Sequence, residues 1–368
     1  PELFQVAHDV AHGGRRKRQA ACARQGARAD GLSFRDITLD KRFEQDAAAF
    51  VQHGVQSSRY RAHITTGLAF RYNGVMGVQF QSVGLAAKVH SEAALEALQT
   101  LAEWLSQMGC QVVIESSTFA HDAAESCRWT LAPFSRMAQM VDLAVVLGGD
   151  GTMLNAARQL VEHDVPLVGI NLGRVGFLTD IARSEAIPQL ERILHGEYQE
   201  ERRLLLSGRI VRDGAVIAAS HALNDIVMNK GDLGRMIEFE LHIDGHFVYT
   251  QRSDGMIIAT PTGSTAYALS ANGPILHPQV AGIALVPLCP HALTARPITI
   301  PDRAEIELAL LPGHVADVHF DGQGRVEMLP SDRLQVRRAG HQARFLHPIG
   351  YDYFAMLREK LHWSASPR

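Results

Sequence analysis

The sequence predicts an α/β domain followed by an all-β domain and a final helix, and three observations support this fold class. From Ser82 to about His195, apolar runs rich in β-branched residues alternate with segments of helical spacing, as in a doubly wound parallel sheet. From Glu201 onwards, short alternating segments are separated by tight turns, as in antiparallel sheets. Beyond Gly340 the spacing becomes helical, and we expect this last helix to return to the first domain.

The α/β prediction rests on recognisable helix starts and stops and on apolar strands. Ser91 is suited to cap the helix that follows it, and Gly109 marks the end of that helix. The run Asp142–Leu147 is apolar and β-branched, which indicates a buried strand. The other predicted elements are strands at Val83–Val89, Gln111–Glu115 and Pro166–Ile170, a helix from the following glycine turn to about His163, and a helix from about Ser184 to His195.

The all-β prediction rests on short strands joined by turn-forming residues. Asp213–Gly214 and Asp244–Gly245 each separate two alternating segments, which is typical of hairpins. The predicted strands are Leu204–Val211, Ala215–Ala222, Asp225–Asn229, Ile237–Ile243, His246–Gln251, Gly255–Ala259, Gly282–Val286, Glu305–Leu310, Val315–Phe320 and Arg333–Arg338.

These patterns divide the chain into residues 1–81, 82–202, 203–340 and 341–368. The first segment is rich in Ala, Arg, Gly and Gln and has no periodic element, so we expect it to be disordered or a non-native extension. The chain begins with Pro1, and Met76 precedes the first convincing strand, so we expect the native protein to start near Met76. The other segments are the α/β domain, the β-rich domain and the last helix.

The amino-acid composition of the chain limits the classes of function that it can have. The chain has 368 residues, a hydrophobic fraction of 46% and a net charge of −3, which gives no overall basis for binding nucleic acid or an anionic membrane. Arg15–Arg18 is a local basic run, and no apolar run has the length of a membrane span. The cysteines lack paired metal-binding spacing, so we expect reduced thiols, a cytoplasmic protein and no protein-built metal site. They are Cys22, Cys110, Cys127 and Cys289.

The stretch on which the functional interpretation depends is the glycine turn Gly148–Thr152, which joins a predicted strand to a predicted helix. Such a turn forms a phosphate site, because backbone amides and the helix dipole attract an anion. Asp150 would repel phosphates there unless it binds a metal ion or takes a proton from a nucleophile. The structural alternative is that Asp150 caps the next helix.

Three further polar groups lie in the β-rich segment. Asn224 and Asp225 offer a donor and several acceptors, which suit two ribose hydroxyls, although they also suit a plain turn before a strand. Arg252 and Asp254 flank Ser253 at the end of a predicted strand and would share a face, either in a cleft with Arg235 or as a surface ion pair.

Two loops complete the set of candidates. Thr260–Ser270 is dense in hydroxyl groups between a predicted strand and a predicted helix, which predicts a second nucleotide-binding loop. Asp321–Gln323 predicts a hairpin turn from which Gln323 could reach a ligand, with a bare turn as the alternative.

Together these stretches resemble the bacterial-type NAD kinase family. The resemblance covers about three-quarters of the chain, from about Val83 to Trp363. The glycine turn alone is shared with diacylglycerol and sphingosine kinases, whereas Thr260–Ser270 is more specific. The motifs that carry the resemblance are Gly148–Thr152, Asn171–Gly173, Gly176–Leu178, Asn224–Asp225, Arg235–Phe239, Arg252–Gly255, Thr260–Ser270, Asn272–Ile275, His291, Ala295–Pro297 and Asp321–Gln323.

The resemblance implies a β-sandwich-like second domain, with NAD bound in the cleft between the two domains. The implied reaction transfers a phosphoryl group from ATP or polyphosphate to the 2′-hydroxyl of the adenosine ribose of NAD, giving NADP. Asp150 would be the general base, Mg²⁺ would be held mainly by the donor phosphates, and a neighbouring subunit of a homodimer or homotetramer would help to complete the site. The implied dinucleotide-binding residues are Asp150, Gly151, Asn224, Asp225, Arg235, Arg252, Asp254, Thr265, Ala266, Tyr267, Ala268, Leu269, Ser270 and Gln323, and the implied donor-phosphate loop is Gly148, Gly149, Gly151 and Thr152.

One departure and several alternatives accompany this interpretation. Many relatives have Glu where this chain has Asp225, so the shorter carboxylate keeps the charge but reaches about one methylene group less far towards the ribose. A lipid or sugar kinase would use the same glycine turn but would not explain Thr260–Ser270. A non-catalytic NAD(P) sensor would not need Asp150. Use of polyphosphate, acceptance of NADH, feedback by NADP(H) and the number of subunits stay open.

Overall fold

The computed structural model describes residues 71–72, 75–76, 78–88, 91–118, 127–173, 176–231 and 235–363. The predictions for the basic run Arg15–Arg18 and for most of the first segment lie outside the described residues. Ahead of the main sheet, Arg71–Tyr72 and Val75–Met76 pair as a short antiparallel ladder.

The first half of the described chain is a parallel sheet with helices between its strands, as predicted. Its strand order is β3-β2-β1-β4-β5, and β6 pairs with the end of β5. The elements are β1 Ser82–Ala87, α1 Glu92–Gln107, β2 Gln111–Glu115, β3 Thr130–Ala132, α2 Phe134–Met137, β4 Leu143–Gly148, α3 Asp150–Leu160, β5 Leu167–Asn171, β6 Ile181–Ala182 and α4 Ala186–Leu194.

Local sequence explains the helices of this half. The Ser91 hydroxyl accepts a hydrogen bond from the Ala94 amide, which satisfies one of the free amides at the start of α1. Leu98 and Leu105 lie on the buried face of α1 and pack on the sheet, and Gly109 takes a positive φ after the helix. The expected start and stop of α1 are therefore confirmed.

The second half is antiparallel and forms two sheets that enclose one apolar core, which confirms the β-sandwich-like prediction. The second sheet has the order β14-β13-β12-β9-β16-β17. The elements are β7 Tyr198–Arg212, β8 Ala215–Ala222, β9 Asp225–Asn229, β10 Ile237–Ile243, β11 His246–Ser253, β12 Gly255–Ala259, α5 Tyr267–Ser270, β13 Gly282–Leu288, β14 Ile298–Pro301, β15 Ile306–Leu310, β16 Ala316–Phe320, β17 Gly324–Met328, β18 Arg333–Pro348 and α6 Tyr353–Leu361.

Strand β18 joins the two halves into one sheet. It pairs along its length with β7, and Phe345 pairs in parallel with Leu167 of β5. The expectation that the chain is helical from 341 onwards is wrong for residues 341–348, which continue β18 because they pair with Tyr198–Leu204. Because the strand partner is distant in sequence, the local pattern of apolar residues does not indicate this pairing.

The last helix, α6, begins at Tyr353, and the preceding Asp352 carboxylate accepts a hydrogen bond from the Phe354 amide. The Tyr353 hydroxyl donates to the Leu276 carbonyl at 3.5 Å, and its ring meets His277 edge-on. The return to the α/β half is therefore made by β18, ahead of the helix. Along the part of the chain that the model describes, no helix has the length and hydropathy needed to cross a membrane.

A buried charged network lies where β7 and β18 approach the α/β half. His347 contacts the carboxylates of Asp180 at 2.9 Å and Glu201 at 3.2 Å, and Arg203 pairs with Glu201 at 2.7 Å. Burial by itself would lower the pKa of His347, but its hydrogen bonds to Asp180 and Glu201 raise that pKa overall. Sequence reasoning did not find this network, because its members are distant along the chain.

Candidate active site

Asp150 is the first residue of α3, and its carboxylate accepts hydrogen bonds from residues 177–179, which belong to a second glycine-containing loop after β5. One oxygen accepts the Phe177 amide at 2.9 Å, and the other accepts the Leu178 amide at 3.0 Å. The helix-capping alternative is wrong, because Gly149 occupies the N-cap position and no side chain caps α3. The first amides of α3 therefore stay available to an anion.

Glycine is required where these two loops meet. A β-carbon at Gly176 would lie 2.0 Å from an Asp150 carboxylate oxygen, and one at Gly148 would lie 2.5 Å from the Thr152 hydroxyl oxygen. The Asn171 amide group adds a bond to the Thr179 hydroxyl at 2.8 Å and so fixes the second loop. The position of Asp150 is thus set from both loops.

Asn224 and Asp225 form a turn that is held by a residue outside the predicted set, Asp321. The buried Asp321 carboxylate accepts the backbone amides of Leu223, Asn224 and Asp225 at 3.0, 2.7 and 3.2 Å. Its remaining partner is Arg158 of α3, which donates at 2.8 Å. Asp321 therefore anchors the predicted ribose-binding pair to the helix that begins at Asp150.

The Asp225 side chain itself is buried beside a cavity of about 360 Å³, which Asn224, Ala266 and Tyr267 also line. No described residue donates a hydrogen bond to the Asp225 carboxyl group. Burial, and secondarily the Asp321 carboxylate, raise the pKa of Asp225 to about 7. A buried carboxyl group with no partner at a cavity wall is suited to accept hydrogen bonds from a ligand.

The hydroxyl groups of Thr260–Ser270 mostly hold the loop itself. Thr260 donates to the Leu223 carbonyl at 2.5 Å, and Ser264 donates to the Pro261 carbonyl at 2.6 Å. Thr265 donates to the Thr262 carbonyl at 3.2 Å. Their density therefore has a structural explanation, and the loop presents Ala266 and the exposed ring of Tyr267 to the cavity.

The rest of this loop packs inward. A β-carbon at Gly263 would lie 2.0 Å from the Asn224 carbonyl oxygen, so the loop rests directly on the Asn224–Asp225 turn. Within α5, Ala268 is buried, Leu269 is half-buried and Ser270 is exposed. The predicted contact residues of the loop therefore differ in their access to the cavity.

Gln323 connects the hairpin turn to the glycine turn. Its amide nitrogen donates to the Gly151 carbonyl at 2.8 Å, and its amide oxygen accepts from Arg158 at 2.6 Å. The structure thus brings Asp150, Gly151, Asn224, Asp225 and Gln323 into one connected region.

The three other charged candidates lie at its edge. Strand β11 ends at Ser253, so the expected alternation does not place Arg252 and Asp254 on one face. Asp254 pairs with Lys230 at 2.9 Å and lines an adjoining cavity of about 360 Å³, also next to Tyr267. Arg252 and Arg235 are exposed.

A smaller cavity of about 190 Å³ lies on the α/β side of the glycine turn. Gly151, Thr152 and Asn155 of α3 line it together with Lys88. Within the described ranges, no group of three or more His, Cys, Asp or Glu side chains is arranged to hold a metal ion.

The comparisons with known proteins agree with this geometry. Residues 83–198 match the ATP-NAD kinase N-terminal domain, and residues 223–348 match the ATP-NAD kinase C-terminal domain. The NAD kinase of Aromatoleum aromaticum is 60% identical over 297 residues, which is 81% of this chain and 99% of that protein. The NAD kinase of Azoarcus sp. is 59% identical over 80% of this chain and 99% of its own length.

Two solved structures share the fold. Yeast NADH kinase complexed with NADH has a TM-score of 0.72 and 25% identity, covering 78% of this chain and 89% of its own. An NAD kinase from Archaeoglobus fulgidus in complex with ATP has a TM-score of 0.60 and 26% identity, covering 76% and 98%. Given both family models and the identity to bacterial relatives across nearly their whole length, this chain belongs to the NAD kinase family of phosphotransferases.

Proposed function

We propose that this protein transfers a phosphoryl group from ATP to the 2′-hydroxyl of the adenosine ribose of NAD, with Asp150 as the general base. The observation that carries the proposal is the fixed Asp150 carboxylate at the start of α3. The Leu178 amide and the Thr179 hydroxyl both donate to one carboxylate oxygen, at 3.0 and 3.4 Å, whereas the Phe177 amide alone donates to the other. The oxygen that accepts from Phe177 therefore keeps a lone pair with which it can accept a proton.

The acceptor side of the proposal rests on the Asn224–Asp225 turn. The unpartnered Asp225 carboxyl group and the Asn224 amide would bind ribose hydroxyls, while Ala266 and Tyr267 would lie against the dinucleotide. The yeast NADH kinase structure contains NADH, which supports a dinucleotide ligand of this kind. Acceptance of NADH by this chain is an outcome to be measured.

The donor side rests on the glycine turn. The free amides at the start of α3 would receive the donor phosphates, and the cavity that Lys88 and Thr152 line is adjacent. The Archaeoglobus fulgidus structure contains ATP, which supports ATP as the donor. Magnesium would enter with the donor as MgATP and would neutralise charge on its phosphates, since the described residues build no carboxylate cage.

The chemistry required of the protein is modest. A ribose hydroxyl is a weak nucleophile near neutral pH, so removal of its proton by Asp150 as the new O–P bond forms would add about 10²- to 10⁴-fold. Alignment of the hydroxyl with the donor phosphate would supply much of the remaining acceleration.

We further propose a homo-oligomer and a cytoplasmic location. The exposed side chains of Arg235 and Arg252 lie outside the described cavities, and a neighbouring subunit would complete a site that uses them. Cys110, Cys127 and Cys289 are unpaired thiols, in keeping with a reducing compartment. Size measurement in solution, with and without NAD, tests the assembly.

The first experiment compares the wild type and Asp150→Asn for NADP formation from NAD, with MgATP or polyphosphate as donor. The base role predicts a fall in kcat of about 10²- to 10⁴-fold with little change in NAD affinity. Because an Asn amide nitrogen cannot accept the loop amides, melting temperatures are measured alongside.

A matched control separates the role of Asp150 as a base from its structural role, in which its carboxylate holds the second glycine loop. Gly176→Ala keeps the carboxylate but places a methyl group 2.0 Å from one of its oxygens and 2.8 Å from the Thr179 hydroxyl oxygen, so it displaces Asp150 without removing its carboxylate. The base role requires Asp150→Asn to lose far more turnover than Gly176→Ala at a similar melting temperature. Near-normal turnover in Asp150→Asn would remove Asp150 from this role, and NAD binding by a wild type that makes no NADP would indicate a sensor.

A further inference from the structure

The hairpin turn Asp321–Gln323 contacts both sides of the proposed site. Through Asp321 it holds three consecutive amides, at residues 223–225, and through Gln323 it holds the Gly151 carbonyl. Asp321 has a φ of +51°, a conformation that costs free energy for a residue with a side chain. The hairpin is therefore held in a strained form that directs two side chains towards neighbouring elements.

Arg158 is the shared partner of both hairpin side chains. One guanidinium nitrogen donates to Asp321 at 2.8 Å, and the other donates to Gln323 at 2.6 Å. The Asp321 side chain is fully buried and that of Arg158 is 12% exposed, so the pair is shielded from solvent. Arg158 lies two helical turns after Asp150 on α3, which ties the pair to the same rigid helix as the proposed base.

We propose that Arg158 and Asp321 are positioning residues that hold the Asn224–Asp225 turn in alignment with the Gly148–Thr152 loop. This inference rests on the proposed function, in which one loop receives the donor and the turn binds the acceptor. A buried charge pair whose oxygens accept three backbone amides fixes the turn more tightly than packing alone. Small misplacement between the two reactants would reduce turnover strongly.

The test compares Asp321→Asn with Asp332→Asn. Asp332 is a matched control because it is buried, pairs with Arg212 at 2.7 Å and accepts the Leu329 amide at 2.8 Å, yet lines neither cavity beside Tyr267. Both variants lose one charged acceptor. We expect Asp321→Asn to lower kcat/KM for NAD about 10- to 100-fold, and Asp332→Asn to leave it within about 2-fold of the wild type.

A second series guards against a folding defect. Arg158→Lys keeps the positive charge but cannot donate to both partners in the same fork geometry. Arg158→Met removes both the charge and the hydrogen-bond donors. We expect NAD affinity and kcat to fall in the order wild type, Arg158→Lys, Arg158→Met. Equal kinetics for the wild type and both folded Arg158 variants would overturn the positioning role. Equal losses for Asp321→Asn and Asp332→Asn would also overturn it.

The readouts separate this inference from the proposed function. NAD affinity is measured directly by calorimetry, so it reports on the turn whether or not turnover occurs. A wild type that binds NAD but makes no NADP rejects the proposed function. Unchanged NAD affinity and unchanged kcat in Asp321→Asn reject the positioning role.

Discussion

The buried carboxyl group of Asp225 gives the sharpest quantitative prediction, because the same group should oppose folding and favour ligand binding. Its pKa is raised to about 7 in the folded protein, against 3.8 for an unperturbed Asp. The substitution Asp225→Asn keeps the size and polarity of the side chain but removes its titration. We expect this variant to be more stable than the wild type above neutral pH.

The sign follows from proton binding. Between pH about 4 and about 7, the unfolded wild-type chain has lost the Asp225 proton while the folded protein still holds it, so wild-type stability falls as the pH rises. A difference of about 3 pKa units corresponds to an upper limit of about 4 kcal/mol above pH 7. Below pH 4 both states carry a neutral group and this contribution disappears.

The assay is equilibrium unfolding of both proteins by denaturant at several pH values from 5 to 8.5. The free-energy difference in favour of Asp225→Asn should grow through this range, with a melting temperature roughly 8 °C higher at the alkaline end. Asp332→Asn is a control for which we expect the opposite change in stability. Burial by itself would raise the pKa of Asp332, but its hydrogen bonds to Arg212 and to the Leu329 amide, together with the charge of Arg212, lower that pKa overall. Loss of that carboxylate should therefore destabilise the protein at neutral pH.

Two results would refute this reasoning. A stability difference between Asp225→Asn and the wild type that does not change with pH would mean that Asp225 ionises normally in the folded protein. Unchanged NAD affinity in Asp225→Asn at pH 8 would mean that the carboxylate does not bind the ligand, since loss of a charged hydrogen bond should weaken binding about 10- to 100-fold.

Two further predictions concern packing and pH. Gly263→Ala should destabilise the protein and raise the KM for NAD at least about 10-fold, because the added methyl group would lie 2.0 Å from the Asn224 carbonyl oxygen. Steady-state kinetics test this prediction, and an unchanged KM would contradict it. For His347, whose pKa is raised, the charged form stabilises the fold fully below pH 6.5, and this contribution is lost as the pH rises through the raised pKa. The stability advantage of the wild type over His347→Gln should therefore shrink from pH 6 to pH 9. An advantage that grows over this range would mean that the neutral form of His347, and not the charged form, stabilises the fold.

Much of the fold follows from local sequence. The strands at Gln111–Glu115, Ala215–Ala222 and Gly255–Ala259 agree with prediction to the residue, because turn-forming or polar residues flank each of these apolar runs. The short strands Ile298–Pro301 and Gly324–Met328 were not predicted, since their half-exposed patterns resemble loops.

The candidate site was predicted in part. Motif residues indicated Asp150, Asn224 and Asp225. The structure connects Asn224 and Asp225, through Asp321 and Arg158, to the helix that begins at Asp150. No role was predicted for the side chains of Arg158 and Asp321, although Asp321 belongs to the predicted hairpin turn, because their local contexts are those of a helix surface residue and a turn residue. The two residues lie 163 positions apart in the sequence, and only the folded chain brings them together. The hydroxyl groups of Thr260–Ser270 looked like ligand donors because sequence cannot tell an internal acceptor from an external one.

The shared strand β18 has a consequence for how the chain reaches its native state. Strand β5 at Leu167 acquires its neighbour at Phe345 only after almost the whole polypeptide has been synthesised. Pairings of such long sequence separation slow folding, and until they form, the edge of the nascent parallel sheet stays open to other chains. Truncations that remove residues 341–348 should therefore yield aggregates rather than a smaller soluble enzyme, and a chaperone that shields sheet edges should raise the yield of the full chain.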